Sequence, residues 1–411
     1  MSHAARLAVL ASALILAAAC LHGGRPCLPG DAIRCACEGG GEGFAVCARD
    51  GQDYSACTCG SAPIAEAGIV DAATSDAPSP PPPEVEASTP WAPVAGGFVG
   101  IPTEISFGSD PSPPLPIYVA TEDDGIQRSM DSGLTWKSIN TGITNKKART
   151  VTVAPVNPVA LFMTSDRAGG APHVFRSGDR GDTWTPVDIT VPSGKDYDVY
   201  AFRSQPNLGP VAGGFDPSTS QAVVLLGTMG GTSWAPIPCG SSSGPVRAII
   251  GSGPTNLYAA VTDGIFHATD GARTWLPASA GIDPDSLGAV ETLAIDPMNP
   301  NVLFAGIAGH GQLFKSIDGA ATWSRAASGL PAGVSVQRIA VRTTDSAEVV
   351  AGTSSGVYRS HDGGATWTFW GLSGLSIRAL AIDPSAAKSS PAAVLAGASG
   401  SAALYRATTD D

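Results

Sequence analysis

Between residues 291 and 316 the chain reads ETLAIDPMNPNVLFAGIAGHGQLFKS, three short apolar runs separated by turns rich in Asp, Pro, Asn and Gly. Runs this short, bounded by residues that reverse the chain, predict β-strands rather than helices. The same frame recurs at residues 377–408, IRALAIDPSAAKSSPAAVLAGASGSAALYRAT, where it stops after three strands. First strands of such units are predicted near Ile105, Val151, Tyr200, Ile249, Leu293, Ile339 and Leu380, which makes seven units. Few segments carry a helical period, so the pattern predicts an all-β protein.

Each of the first six units leads into a Trp-ended box. The boxes are SMDSGLTW ending at Trp136, SGDRGDTW at Trp184, GTMGGTSW at Trp234, ATDGARTW at Trp275, SIDGAATW at Trp323 and SHDGGATW at Trp367, spaced 48, 50, 41, 48 and 44 residues apart. A period in this range with several strands per repeat predicts the blades of a β-propeller. An Asp side chain bonds backbone N–H groups two or three residues on, Gly supplies positive φ, and Trp supplies a large apolar face, so turn geometry accounts for every residue of the box. Asp131, Asp179, Asp270, Asp318 and Asp362 are therefore read as structural.

These boxes resemble the Asp-box, or BNR, repeat S-x-D-x-G-x-T-W of sialidases, sortilin-type receptors, xyloglucanase-type hydrolases and photosystem II assembly factors. The boxes at Trp136, Trp184 and Trp367 match in full; those at Trp275 and Trp323 have the Gly one place earlier, and GTMGGTSW lacks both Ser and Asp. The resemblance covers about residues 91–411 and implies a seven-bladed propeller. STPWAPVAGGF (88–98) is similar to the segments RTWLPASAGI (273–282) and ATWSRAASGL (321–330), with Trp91 in the register of a box Trp. The missing fourth strand of the last blade is thus expected from the other end of the domain, closing the ring without exposed sheet edges.

In relatives of this type the boxes lie on one face and ligands bind the other. The residues expected at the channel mouth of that second face are Ile105, Arg149, Asp198, Arg247, Glu291, Gln337 and Arg378, six of them polar or charged. Mutual pairing of the acids and arginines is the alternative to a ligand site. Arg forks suit carboxylates, so an acidic or C-terminal peptide or an acidic glycan is the expected ligand, bound without catalysis. The assembly-factor propellers, non-enzymatic binders with an Arg-rich surface, point the same way.

A glycoside hydrolase is the other reading. The resemblance to sialidases implies an Arg triad, for which Arg149, Arg247 and Arg378 would serve, and a Tyr nucleophile, Tyr197 or Tyr200, but the F-R-I-P motif is absent. Xyloglucanase-type enzymes use two carboxylates across a cleft between two propellers, and Asp198 with Glu291 is the pair available here. GSSSG (240–244) matches a nucleophile motif only in letters, since no strand-to-helix elbow surrounds it. No metal, nucleotide or other cofactor motif is present, so no cofactor is expected.

Composition narrows partners and compartment. Charged residues are 15% of the 411, Gly 50 and Pro 34, in keeping with short strands and tight turns. A net charge of −12 without a basic stripe argues against nucleic acid. Residues 1–19 have Arg6 and an apolar run from Leu7 to Ala19, the build of an export signal. The ending LAAAC resembles a bacterial lipobox and implies a lipidated Cys20, with membrane association through that lipid; a plain cleaved signal is the alternative. Six cysteines, Cys27, Cys35, Cys37, Cys47, Cys57 and Cys59, fall within residues 20–60 and predict three disulfides of open pairing. Residues 61–90, rich in Pro, Ala and Ser, read as a tether to a propeller at 91–411. An outer-membrane or cell-surface location, or secretion, and a monomer are expected.

Overall fold

A computed structural model describes residues 32–36, 42–46 and 58–59, and 90–410 apart from 110–113, 155–159, 167–172, 190, 192–193, 196, 206–207, 229–230, 232, 284–288, 310–311 and 400–402. The chain divides into two units, Met1–Pro82 and Pro83–Asp411. In the first, Ala32–Ala36, Glu42–Val46 and Thr58–Cys59 form one antiparallel sheet. The predicted signal segment, Cys20, Cys27, Cys37, Cys47 and Cys57 lie outside the described residues, as do the side chains of Cys35 and Cys59.

Alternating apolar runs in the second unit build seven four-stranded antiparallel sheets, each formed from consecutive strands except the last. Blade 1 is Pro102–Phe107, Ile117–Thr121, Gly125–Ser129 and Lys137–Ser138. The first strands of blades 2 to 7 are Ala148–Ala154, Asp198–Gln205, Ala248–Ser252, Val290–Ile295, Val336–Arg342 and Ile377–Ile382. Blade 7 takes its fourth strand from Ala92–Pro93, which pairs with Leu404–Thr408 through Tyr405↔Pro93 and Arg406↔Ala92. The fold is an all-β, seven-bladed propeller, with no helix among the described residues.

The core is divided among the interfaces. Seven buried clusters each join two adjacent blades: Val211 and Val224 of blade 3 pack with Ile249, Leu257 and Trp275 of blade 4, and Ile105 and Trp136 of blade 1 with Ala379, Leu395 and Leu404 of blade 7. Each second strand is buried on both faces, as Ile117–Thr121 and Leu303–Ile307 show, because blades cover it on either side. Cys239 is buried in the cluster of blades 3 and 4, and burial pushes its thiol up to about 12, so it is an inert packing residue.

The boxes are the turns between third and fourth strands. Asp131 accepts the Thr135 N–H at 2.8 Å and the Thr135 hydroxyl at 2.5 Å, and Ser129 Oγ accepts the Gly133 N–H at 2.8 Å. Asp179, Asp318 and Asp362 repeat this with Thr183, Thr322 and Thr366, and Asp270 accepts the Thr274 N–H at 3.0 Å. The displaced glycines have a cause. The two residues after each Asp both sit at positive φ: Ser132 and Gly133, Arg180 and Gly181, Gly271 and Ala272, Gly319 and Ala320, Gly363 and Gly364. One Gly at either place lowers the cost of a pair of left-handed residues, so the motif tolerates both positions.

Box tryptophans tie each blade to the one before it. Trp184, Trp323 and Trp367 donate Nε1–H to the carbonyls of Ile139, Ala278 and Ala326, at 2.7 to 2.8 Å, just past the preceding outer strand. Trp91 makes the same bond to Trp370 at 3.0 Å and stacks edge-on against it, so it stands as the seventh box Trp. Three boxes lack it: Trp136 donates to Gly133 of its own box at 3.1 Å, and around blade 3, whose box has lost Ser and Asp, Trp234 and Trp275 have buried Nε1–H groups without an acceptor among the described residues.

Candidate functional site

Pairing registers place the boxes and the channel mouth at opposite ends of the strands. In blade 5, Val290 at the start of the first strand faces Ile307, while Leu303 faces both Ile295 and Ser316, where the box begins. The start of every first strand therefore lies at the end away from the Asp residues.

Here the strands carry a recurring irregularity. Pairing skips one residue near the start of the first strand in six blades: Thr103, Arg149, Tyr200, Glu291, Gln337 and Arg378. In blade 4 the paired strand begins just after Arg247. Such a β-bulge inserts an unpaired residue and re-aims its side chain, and all seven of these residues line one cavity on the central channel, with a volume of 570 Å³. Two residues further on, Ile105, Phe202, Ile249, Leu293, Ile339 and Leu380 line it with apolar side chains.

Five of the expected mouth residues, Arg149, Arg247, Glu291, Gln337 and Arg378, are thus brought together. Asp198 is not: Tyr200 holds the blade 3 place, and Asp198 sits two residues earlier, paired opposite Phe215. The apolar residue of blade 3 that corresponds to Leu293 is Phe202 rather than Tyr200, and a slip of two residues leaves inward and outward parity unchanged. In blade 1 the displacement runs the other way: Thr103 stands at the mouth, and Ile105, two residues later, is the apolar residue corresponding to Leu293. Tyr197 is buried between blades 2 and 3, away from the channel.

Charges at the mouth are partly paired. Arg149 donates Nε–H to Asp166 at 2.5 Å and its guanidinium lies over the Tyr200 ring, 4.2 Å from the centroid. Burial works against its charge, but hydrogen bonding to Asp166 and Tyr200 more than offsets that and raises its pKa. Arg247 meets Glu291 at 3.5 Å, with both side chains partly exposed. Gln337 accepts a bond from Ser376 at 3.0 Å. Arg378 is exposed and has no ion-pair partner among the described residues.

Two charged lining residues were missed from sequence. Glu104 and Arg338 follow directly on the bulged positions of blades 1 and 6 and line the same cavity. Glu104 accepts the Val151 N–H at 3.1 Å, and Arg338 donates to the carbonyls of Gln337 at 2.7 Å and Thr103 at 3.3 Å. Burial pushes the Glu104 carboxyl up to about 7, against the pull of Arg338 and the Val151 N–H. Arg338 is lowered by burial, with Glu104 and Glu291 opposing the shift. The available signal was that other blades carry Thr150, Ala201, Ala248, Thr292 and Ala379 here, so a charge is out of pattern.

Four arginines and two glutamates lining one opening, on a chain of net charge −12, make the channel a local cation-rich spot suited to an anion. Among the described residues no group of three His, Cys, Asp or Glu is placed to hold a metal ion.

No family model matches the chain. It is 32% identical to a xyloglucanase from a Paenibacillus species over 141 residues, which are 28% of this chain and 14% of that protein. Among solved structures it is similar to an ancestral GH74 enzyme, at 17% identity and a TM-score of 0.58, over 76% of this chain and 45% of that one. It is also similar to YCF48 from Cyanidioschyzon merolae, at 16% identity and a TM-score of 0.54 over 78% of this chain and 99% of that one; YCF48 bound to D1 peptide matches with a TM-score of 0.55 at 16% identity. The chain spans less than half the length of the xyloglucanase and of the ancestral enzyme. At these identities the solved structures speak for the fold.

Proposed function

We propose that this propeller is a non-catalytic binding protein of the cell envelope that takes a carboxylate-bearing ligand, an acidic peptide or acidic glycan, at the mouth of its channel. The observation that carries the reading is the bulged ring. Seven blades each aim one side chain into a single opening, three of these are Arg149, Arg247 and Arg378, and the last has no ion-pair partner among the described residues. A guanidinium at such a place binds a carboxylate with paired, charge-assisted hydrogen bonds. That YCF48 has been solved with a peptide bound supports a protein partner by likeness of fold. An export signal at 1–19, lipidation of Cys20, disulfides within 20–60 and a tether at 61–90 complete the proposal and hold a monomeric propeller at the outer surface.

A glycoside hydrolase is the second reading. It is favoured by the xyloglucanase match and by a raised carboxyl, Glu104, lining the same cavity as Glu291, a pair that replaces Asp198 and Glu291 as candidate acid and base. One experiment separates the two. The purified chain is applied to an array of acidic peptides and uronic-acid glycans and assayed in parallel for reducing ends released from xyloglucan. The binding reading expects capture without release, and loss of capture in the Arg149→Ala, Arg247→Ala, Arg378→Ala triple variant. Release of reducing ends that disappears in Glu291→Gln would establish the enzyme instead.

A further inference from the structure

Among the cavity-lining residues that directly follow the mouth positions, Glu104 and Arg338 are the two that carry charge. Glu104 takes the Val151 N–H of blade 2, and Arg338 reaches from blade 6 to the Thr103 carbonyl of blade 1. Burial disfavours both charges, so each depends on the other's field. Arg338 also lies in the fields of Glu291 and Arg378. An anion drawn to the mouth enters the same fields: it repels the Glu104 carboxylate and competes with it for Arg338.

We propose that Glu104 couples occupancy of the channel to proton uptake, its carboxylate accepting one proton from solvent as an anionic ligand enters and leaving Arg338 to the ligand. This rests on the reading of the channel as a carboxylate site. The free carboxyl, with its pKa near 7, is about half protonated at neutral pH. The other ionisable groups lining the cavity are Arg149, Arg247, Arg378, Glu291 and Tyr200, and no His, Lys or Cys lines it among the described residues. Linkage fixes the sign. A bound anion raises the Glu104 pKa above its free value, so affinity is highest where Glu104 is protonated in both states. It declines as pH rises between the free and the bound pKa, by at most about tenfold per pH unit, and levels off above.

The test is calorimetric titration of the full chain with two probes, hexaglutamate and trigalacturonate, whose carboxylates titrate roughly two units or more below the window. Runs from about pH 6 to about pH 9, each in two buffers of different ionisation enthalpy, give affinity and protons taken up together. The expected result is a fall of about fivefold or more in affinity across this range, with uptake of up to one proton. Glu104→Gln, which keeps a carbonyl for the Val151 N–H, is expected to bind with no uptake and a flat pH profile. A wild-type affinity independent of pH, or an unchanged pH profile in Glu104→Gln, overturns the coupling and leaves the binding reading standing. Failure of both probes to bind at the acid end overturns the carboxylate reading and the coupling with it. If Glu104→Gln does not fold, carbon NMR titration of Glu104 in the wild type decides: a midpoint raised by probe supports the coupling, and an unmoved midpoint refutes it.

Discussion

At the scale of single residues, the Asp of each box answers to one turn. Asp131 and Asp179 are held near 2 by the Thr135 and Thr183 hydroxyls and N–H groups, and Asp362 is lowered in the same way by Thr366. A carboxyl depressed in the folded state stabilises it above the ordinary carboxylate pKa, and that contribution is lost as pH falls from about 4 towards 2. Asp131→Ala is accordingly expected to lower stability at neutral pH by about 1 to 3 kcal/mol, measured by urea unfolding. The deficit should shrink in acid, where the wild-type carboxyl is itself protonated; a constant deficit would show that the charge is irrelevant to the turn. This role was legible in sequence, because the whole constraint lies within eight adjacent residues. Glu104 was not legible, since its raised pKa comes from burial in a channel that seven blades enclose, and the Arg338 that opposes the shift lies more than 230 positions away in the chain.

Among elements, the blade interfaces hold the ring together, and their most exacting contacts are made by backbone. Gly142, Gly281 and Gly329, at positive φ, follow the outer strands of blades 1, 4 and 5. A Cβ at these positions would meet the carbonyl oxygen of Trp184, Trp323 or Trp367 at 2.0 to 2.2 Å. In the same segments the carbonyls of Thr141, Ala280 and Ser328 accept the backbone N–H groups of those tryptophans, each at 2.8 Å. Gly142→Ala should therefore cost more than about 2 kcal/mol, from left-handed strain together with the clash. Thermal unfolding checks this, and a variant as stable as wild type would mean that the interface yields easily. Blade count was readable from Trp spacing and from the similarity of residues 88–98 to the segments after the boxes. Register in blade 3 was not, because Tyr200 and Phe202 are both aromatic and share a parity; only the bulge, a property of pairing, tells them apart.

For the molecule as a whole, function divides between the two ends of the strands. Acidic turns at one end are consumed by architecture, while the other end gathers Arg149, Arg247, Arg338 and Arg378 around a 570 Å³ opening in an otherwise acidic chain. Arg378 and Asp362 make the division testable, because only sixteen positions separate them and they belong to opposite ends. The decisive measurement is the affinity of hexaglutamate for Arg378→Ala and Asp362→Ala beside the wild type at slightly acid pH. Loss of a charge-assisted contact predicts binding weakened about tenfold to a hundredfold in Arg378→Ala with an unchanged melting temperature. Asp362→Ala should melt earlier yet bind as the wild type does. Wild-type affinity in Arg378→Ala, or loss of binding in a folded Asp362→Ala, would contradict the assignment of the ligand site to the channel mouth.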